Sequence, residues 1–270
     1  MSNKIIIAVV VEHDQNGIKP VTYEILQTAN RLAGSVIAYY FSNSSEIDIQ
    51  RLFDHGADDV RFCIHPELYQ YTHENYASGL LSEIEKSQPD MILLSSSNNG
   101  KELSAELAAR LNVGLATDCI DLQISNEGDV LVKRPIFSGK ALSTCELKGA
   151  KPYLITLRPN VFRDEAVKTT RNGVVKNEEI TLPETSKMVG ELTREVGAEL
   201  DITEARIIVS GGLGMQESKN FKILEDLAEV LGAAVAASRP VVDNGWQEYT
   251  RQVGQTGRTV SPDLYIACGI

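Results

Sequence analysis

The chain has 270 residues, 43% apolar and 23% charged, the balance of an ordinary folded protein rather than a disordered or collagen-like one. With 37 acidic against 26 basic residues it carries a formal charge of −11, a surface that repels nucleic-acid phosphates and anionic lipid alike. Its longest apolar run, Ile5 to Val11, falls far short of the ~20 residues that cross a bilayer, and no small-residue cleavage site follows it. The length suits two domains at ~100–200 residues each. Cys63, Cys119, Cys145 and Cys268 form no Cys-x-x-Cys pair, and His13, His55, His65 and His73 show no metal-ligand spacing, so they read as surface or packing residues. Reduced thiols, no metal and a cytoplasmic, bacterial setting are expected.

The first part alternates continuous apolar runs with amphipathic stretches, the pattern of a parallel α/β sheet. Ile5–Val11 is the first strand; Thr22 is expected to cap a helix whose Ile25, Leu26, Ala29, Leu32 and Ala33 share a face before Gly34. Strands Val36–Phe41, Val60–Ile64 and Met91–Leu94 and helices Asn75–Lys86 and Glu102–Leu111 follow. After about Thr117 the texture changes: Ile120–Ile124 and Val130–Pro135, then Ala141–Leu147 and Tyr153–Leu157, read as antiparallel hairpins added to the sheet. A polar stretch from Arg163 to Glu179 leads to a helix marked by Met188, Leu192 and Val196, and the domain boundary falls between Pro183 and Asp201. The expected domains are residues 1–185 and 186–270.

The second part restarts the rhythm. Arg206–Val209 is a strand, Ser210 to Gly214 a glycine-rich turn, Phe221, Leu224, Ala228 and Leu231 one helical face, and Ala233–Ala237 and Leu264–Cys268 two further strands. A last buried strand without its covering helix suggests that the sequence stops short of a whole domain. The fold expected is therefore two α/β domains, an N-terminal, mostly parallel sheet with added hairpins and an incomplete Rossmann-like C-terminal sheet.

Taken singly, the motifs of the second part are weak. The glycine-rich turn lets N–H groups converge on an anion at a helix N-terminus, but Glu217 breaks the dinucleotide pattern Gly-x-Gly-x-x-Gly, and a plain tight turn is the better reading of it by itself. Together they say more, because Ser210–Gly214, Ser238-Arg239 and Gly269-Ile270 each follow a strand, and ligands of open parallel sheets sit beyond the carboxyl ends of strands. Pro240 biases Arg239 toward an extended backbone from which its guanidinium reaches inward. Ser238, Thr256, Gln255, Gly254 and Gly257 add donors suited to phosphate or an electron-rich heterocycle. The alternatives are a surface ion pair for Arg239 and an ordinary loop for the Gln-Thr-Gly stretch.

The run Gln252-Val253-Gly254-Gln255-Thr256-Gly257-Arg258, Ser238-Arg239 with Asp243 and Gly245, and Pro262 to Ile270 resemble the α subunit of electron transfer flavoprotein. In the first part, Leu93–Lys101, Thr117-Asp118 and Arg134–Ala141 resemble that subunit's N-terminal domain. The resemblance implies an electron carrier rather than a substrate-converting enzyme, with FAD in the C-terminal domain and a β subunit that holds AMP or a second FAD. Implied donors are flavin-dependent dehydrogenases such as those of fatty acid β-oxidation, and the implied acceptor is a quinone oxidoreductase or similar. An electron-bifurcating, NADH-oxidising form and a flavin-free adapter are the alternatives.

Carried over by position, the FAD contacts are Leu213, Ser238, Arg239, Val253, Gly254, Gln255 and Thr256, with Arg239 and Thr256 the leading pair. Trp246 and Tyr249 either cover the flavin edge or simply pack. Two departures from the family pattern stand out. Leu213 replaces an arginine, and a C-terminal segment with further flavin contacts is missing, so the 270-residue chain is expected to hold FAD below native affinity. The serine-rich loop Ser95 to Gly100 is assigned to structure or the subunit interface, since the family's N-terminal domain holds no cofactor.

Overall fold

Apolar runs too continuous to face water on either side build the first sheet. In the computed structural model, which describes residues 5–162, 170–183 and 200–270, the chain forms two compact units, 1–190 and 191–270. The helix expected around Met188, Leu192 and Val196, most of the domain boundary and part of the polar stretch after Arg163 lie outside the described residues.

Unit 1 runs β1 (Ile6–Val10), the short hairpin β2 (His13–Asp14) and β3 (Gly17–Ile18), α1 (Pro20–Leu32), β4 (Ser35–Ser42), α2 (Ile49–Asp54), β5 (Asp59–Ile64), α3 (His73–Ser87), β6 (Met91–Ser95) and α4 (Asn98–Leu111). It continues with β7 (Leu115–Cys119), β8 (Asp121–Ile124), β9 (Val130–Ile136), β10 (Ala141–Leu147), β11 (Tyr153–Leu157) and β12 (Val174–Glu178). The main sheet has the order β12-β5-β4-β1-β6-β11-β7, every described pairing parallel.

Side chains alternate across this sheet. Ile7, Val9 and Leu93 meet Ile25, Leu26 and Ala29 of α1 in one cluster. Ala8, Ile92 and Leu94 meet Leu80 and Ile84 of α3 and Leu103 and Leu107 of α4 in the other. Each such fully buried aliphatic contributes ~1.5–3 kcal/mol, which is why both faces need helices.

Three expectations are corrected here. Ala141–Leu147 and Tyr153–Leu157 are not a hairpin: β10 pairs antiparallel with β9, closing a separate three-stranded β10-β9-β8 sheet, whereas β11 inserts between β6 and β7. The burial explains it, since Leu154 to Leu157 are buried throughout whereas exposed residues alternate along β10. Thr22 does not cap α1, which opens on Lys19 and Pro20; its hydroxyl instead accepts from the Glu12 N–H (2.9 Å) and donates to the Glu12 carbonyl (3.1 Å). The polar stretch carries a strand, β12, held on its edge by backbone pairing to β5.

Unit 2 runs β13 (Ile207–Gly211), α5 (Phe221–Leu231), β14 (Ala234–Ala237), α6 (Arg239–Asp243) and β15 (Leu264–Cys268). The three strands are parallel in the order β14-β13-β15, and Phe221, Leu224 and Ala228 of α5 pack with Val209 over one face. On the other face, Ile208, Ala234 and Ala236 pack with Ile202 and Ala205, and Val253 lies against them.

Candidate functional site

The carboxyl ends of β13, β14 and β15 are tied to one another by backbone hydrogen bonds. The Ser238 N–H donates to the Gly211 carbonyl at 3.0 Å, drawing the exit of β14 toward its neighbour. The Val253 N–H donates to the Ala237 carbonyl at 3.0 Å, so the segment 252–258 lies along the end of β14. On the other side, the Gly212 N–H donates to the Cys268 carbonyl (2.9 Å) and the Gly214 N–H to the Gly269 carbonyl (2.8 Å).

These glycines are there for contact between backbones. A Cβ on Gly212 would stand 2.2 Å from the Gly269 oxygen, and one on Gly214 2.7 Å from the Gly269 Cα. This favours the plain tight turn over the reading in which its N–H groups converge on an anion at a helix N-terminus. Two of those N–H groups bond the exit of β15, and the turn opens into 3-10 turns at Leu213–Met215 and Ser218–Asn220 before α5 starts at Phe221. Leu213 lies between the two bonded glycines, and 48% of its surface is exposed.

Arg239 differs from its expected conformation. It opens α6 instead of lying in an extended segment, because a proline missing its N–H is tolerated in the first turn of a helix; the extended residue is Ser238 (φ −75°, ψ 156°). Its side chain is 60% exposed and its Nε lies 3.2 Å from Asp243 Oδ2, the surface ion pair weighed as the alternative.

The segment 252–258 closes on itself. The Arg258 N–H donates to the Gln252 carbonyl (2.7 Å) and the Gly254 N–H to the Arg258 carbonyl (3.3 Å), with Gly254 at φ 128°. Gln252, buried, donates through Nε2 to Thr256 Oγ1 at 3.0 Å, and the exposed Tyr249 hydroxyl donates to the Thr256 carbonyl at 3.0 Å. Gly254, Gln255 and Thr256 are exposed and Val253 is half-buried, so the loop offers an amide and a hydroxyl outward while its stem packs inward. Trp246 packs against the Phe221 cluster and Tyr249 braces the loop, the packing alternative for both.

Sequence reasoning missed three supports. Arg258 Nη1 lies 2.8 and 2.7 Å from the two Asp201 carboxylate oxygens, latching the loop to the segment before β13. Gln252 braces it from beneath. Ser210 is fully buried with a hydroxyl that has no hydrogen-bond partner, and strand alternation puts it on the Ile208 face, the one against which Val253 lies. A lone hydroxyl in the apolar run Ile-Ile-Val was its sequence signal.

Burial raises the Asp201 pKa, but the Thr203 N–H and hydroxyl and the Arg258 guanidinium outweigh it and hold the carboxyl below the usual range. With a native pKa below the unfolded value of ~3.9, its stabilisation is complete above that value and is lost as pH falls through the native one. Asp201→Asn should therefore flatten this part of the acid limb: thermal unfolding between pH 6 and 3 will show wild type losing more of its stability than the variant. Parallel curves would contradict the latch.

The donors gathered at this edge, the guanidinium at the head of α6, the Ser238 and Thr256 hydroxyls and the Gln255 amide, suit an anionic, heterocyclic cofactor, and the backbone-to-backbone cradle beside them has no room for side chains. The family model described as "Electron transfer flavoprotein domain" matches residues 7–183, and that described as "Electron transfer flavoprotein FAD-binding domain" matches residues 201–270. The chain is 37% identical over 256 residues to the electron transfer flavoprotein subunit alpha of Bacillus subtilis (strain 168), covering 94% of this chain and 78% of that protein. It is 37% identical over 270 residues to Protein FixB of Clostridium saccharobutylicum, covering 97% and 80% respectively. The chain belongs to the electron transfer flavoprotein family, among its α subunits.

Proposed function

We propose that the chain carries electrons on FAD held at the carboxyl edge of β13, β14 and β15, with Leu213, Ser238, Arg239, Val253, Gly254, Gln255 and Thr256 as its contacts. Electron transfer is the activity of this family and FAD its cofactor. The observation that carries the residue assignment is the pair of cross-strand ties, Ser238 to Gly211 and Val253 to Ala237, which bring both donor-bearing segments to one edge. FAD supplies the redox chemistry when bound, accepting and returning reducing equivalents.

The chain's own residues bind and bias it. The Arg239–Asp243 pair is exposed and such pairs contribute about 0–1 kcal/mol, so the guanidinium would reorient toward a bound flavin at small cost, and its positive charge there would favour the reduced form. The Thr256 hydroxyl, pre-positioned by Gln252, and the Gln255 amide donate hydrogen bonds; Leu213 contributes backbone only.

Arg239→Met is accordingly expected to lower the midpoint potential of bound FAD by about 30 mV, the equivalent of ~1.4 kcal/mol for a two-electron couple. The melting temperature should be unchanged, because the side chain is exposed. Spectroelectrochemical titration reads this directly, and an unaltered potential removes Arg239 from the site.

On this reading residues 186–270 hold the flavin, and residues 1–185 meet a β subunit that holds AMP or a second FAD. Dehydrogenases such as those acting on acyl-CoA donate electrons, a quinone oxidoreductase or similar protein accepts them, and the setting is the bacterial cytoplasm. Among the described residues no helix is long and apolar enough to cross a membrane. An absorption spectrum of the copurified αβ complex, followed by acid release, is expected to show FAD; a complex without flavin bands refutes the assignment.

A further inference from the structure

Unit 1 contains a crevice that the flavin reading does not use. The chain builds β4 and β5 on one side of β1 and then crosses to β6 on the other, so the carboxyl ends of β1 and β6 part at a switch point, the usual ligand position in such sheets. A hollow open to solvent on one side lies there, walled by Val11, Leu94 and Leu103 and by the rings of Tyr71 and Tyr76. The two rings meet edge to face with centroids 4.9 Å apart. Their hydroxyls are already committed, Tyr71 donating to the Asn99 carbonyl (3.0 Å) and Tyr76 to the Phe41 carbonyl (2.9 Å).

α4 starts at this hollow. Ser97 caps it, accepting the Gly100 N–H at 3.0 Å, and Gly100 sits so close to the end of β6 that a Cβ there would stand 2.0 Å from the Ser95 oxygen. A glycine-tight strand exit leading to a helix N-terminus is how phosphate sites are built. Here, however, the Ser97 hydroxyl also donates to Glu12 Oε1 at 2.5 Å. Glu12 is fixed in turn by Thr22, which bonds both its N–H and its carbonyl. The anion at the positive end of α4 is supplied by the chain itself.

We propose that this crevice binds a small uncharged heteroaromatic ring carrying an N–H donor, of nucleobase size, and that Glu12 excludes its phosphorylated forms. Apolar and aromatic walls suit a planar ring. The Glu12 carboxylate accepts from a ring amine and repels a phosphate dianion.

The test uses the isotope-labelled full chain, following the amides of Val11–His13 and Asn99–Leu103 as adenine, guanine, cytosine and AMP are added separately. A saturable shift with at least one base is expected, with AMP at least tenfold weaker than adenine or without effect. Glu12→Gln, which keeps an acceptor for Ser97 but no charge, should bring AMP within threefold of adenine, whereas Ser97→Ala keeps the charge and should still reject AMP. Absence of a saturable shift with any base overturns the site. Equal or tighter wild-type binding of AMP, or an E12Q variant that still rejects it, overturns the role of Glu12; the wild-type comparison decides even where a variant fails to fold. The readout lies in unit 1, so a failure of flavin binding in unit 2 leaves the result interpretable.

Discussion

A Gly257→Ala variant will bind FAD about ten- to a hundredfold more weakly than wild type, while unit 1 keeps its stability. The added Cβ would stand 2.3 Å from the Gln252 carbonyl oxygen and 2.7 Å from its carbon, both backbone atoms. That carbonyl accepts the Arg258 N–H that closes the loop. Neither partner moves without unlacing segment 252–258, which takes Thr256 off Gln252 and shifts Val253 to Gln255. Overpacking of this kind costs ~1–3 kcal/mol, and 1.4 kcal/mol is a factor of ten in affinity. Titration of the flavin-stripped chain with FAD, followed by flavin fluorescence, measures it. Unchanged affinity would mean that the closed loop is not the binding form.

The second large effect lies in unit 1. The Glu83 carboxylate is fully buried on α3, with Arg61 Nη1 of β5 at 3.1 Å and Lys86 Nζ at 2.6 Å. Arg61, 8% exposed, has Asp59 at 3.3 Å and Glu178 at 4.0 Å as its other near acids. Removing one partner of a buried pair leaves a desolvated charge and costs ~3–5 kcal/mol. Because Asp59 and Glu178 remain beside Arg61, Glu83→Ala should fall at the lower end, at about 3 kcal/mol. Urea unfolding followed by far-ultraviolet circular dichroism should show an earlier unit 1 transition. Glu83→Gln, which keeps hydrogen-bonding capacity, should lose less. A loss below about 1 kcal/mol for the alanine variant would mean that water reaches Arg61 and screens it.

Much of this molecule is legible before any coordinates. Ile5–Val11, Val36–Phe41, Val60–Ile64 and Met91–Leu94 name themselves as parallel strands, since only a sheet covered on both faces accommodates runs so uniformly apolar. The block Gln252–Arg258 carries its family in its residue order. Tyr153–Leu157 is apolar enough to be a core strand, but its partners, β6 and β7, lie far away in sequence, and adjacency suggested the wrong one. β12 is illegible because Val-Val-Lys-Asn-Glu is an exposed edge held by backbone bonds that no side chain announces.

The amino-acid order alone therefore determined the layering and the parallel rhythm, because burial on one or both faces is written in the spacing of apolar residues, and the family resemblance, because blocks such as Gln252–Arg258 carry it. Only the tertiary structure decided that the glycines after β13 hold two chain exits together and that Glu12 stands at the start of α4. Each of these is a contact between segments distant in sequence or a competition for one hydrogen bond. Such contacts depend on where the sheet has carried the chain, which local pattern does not encode.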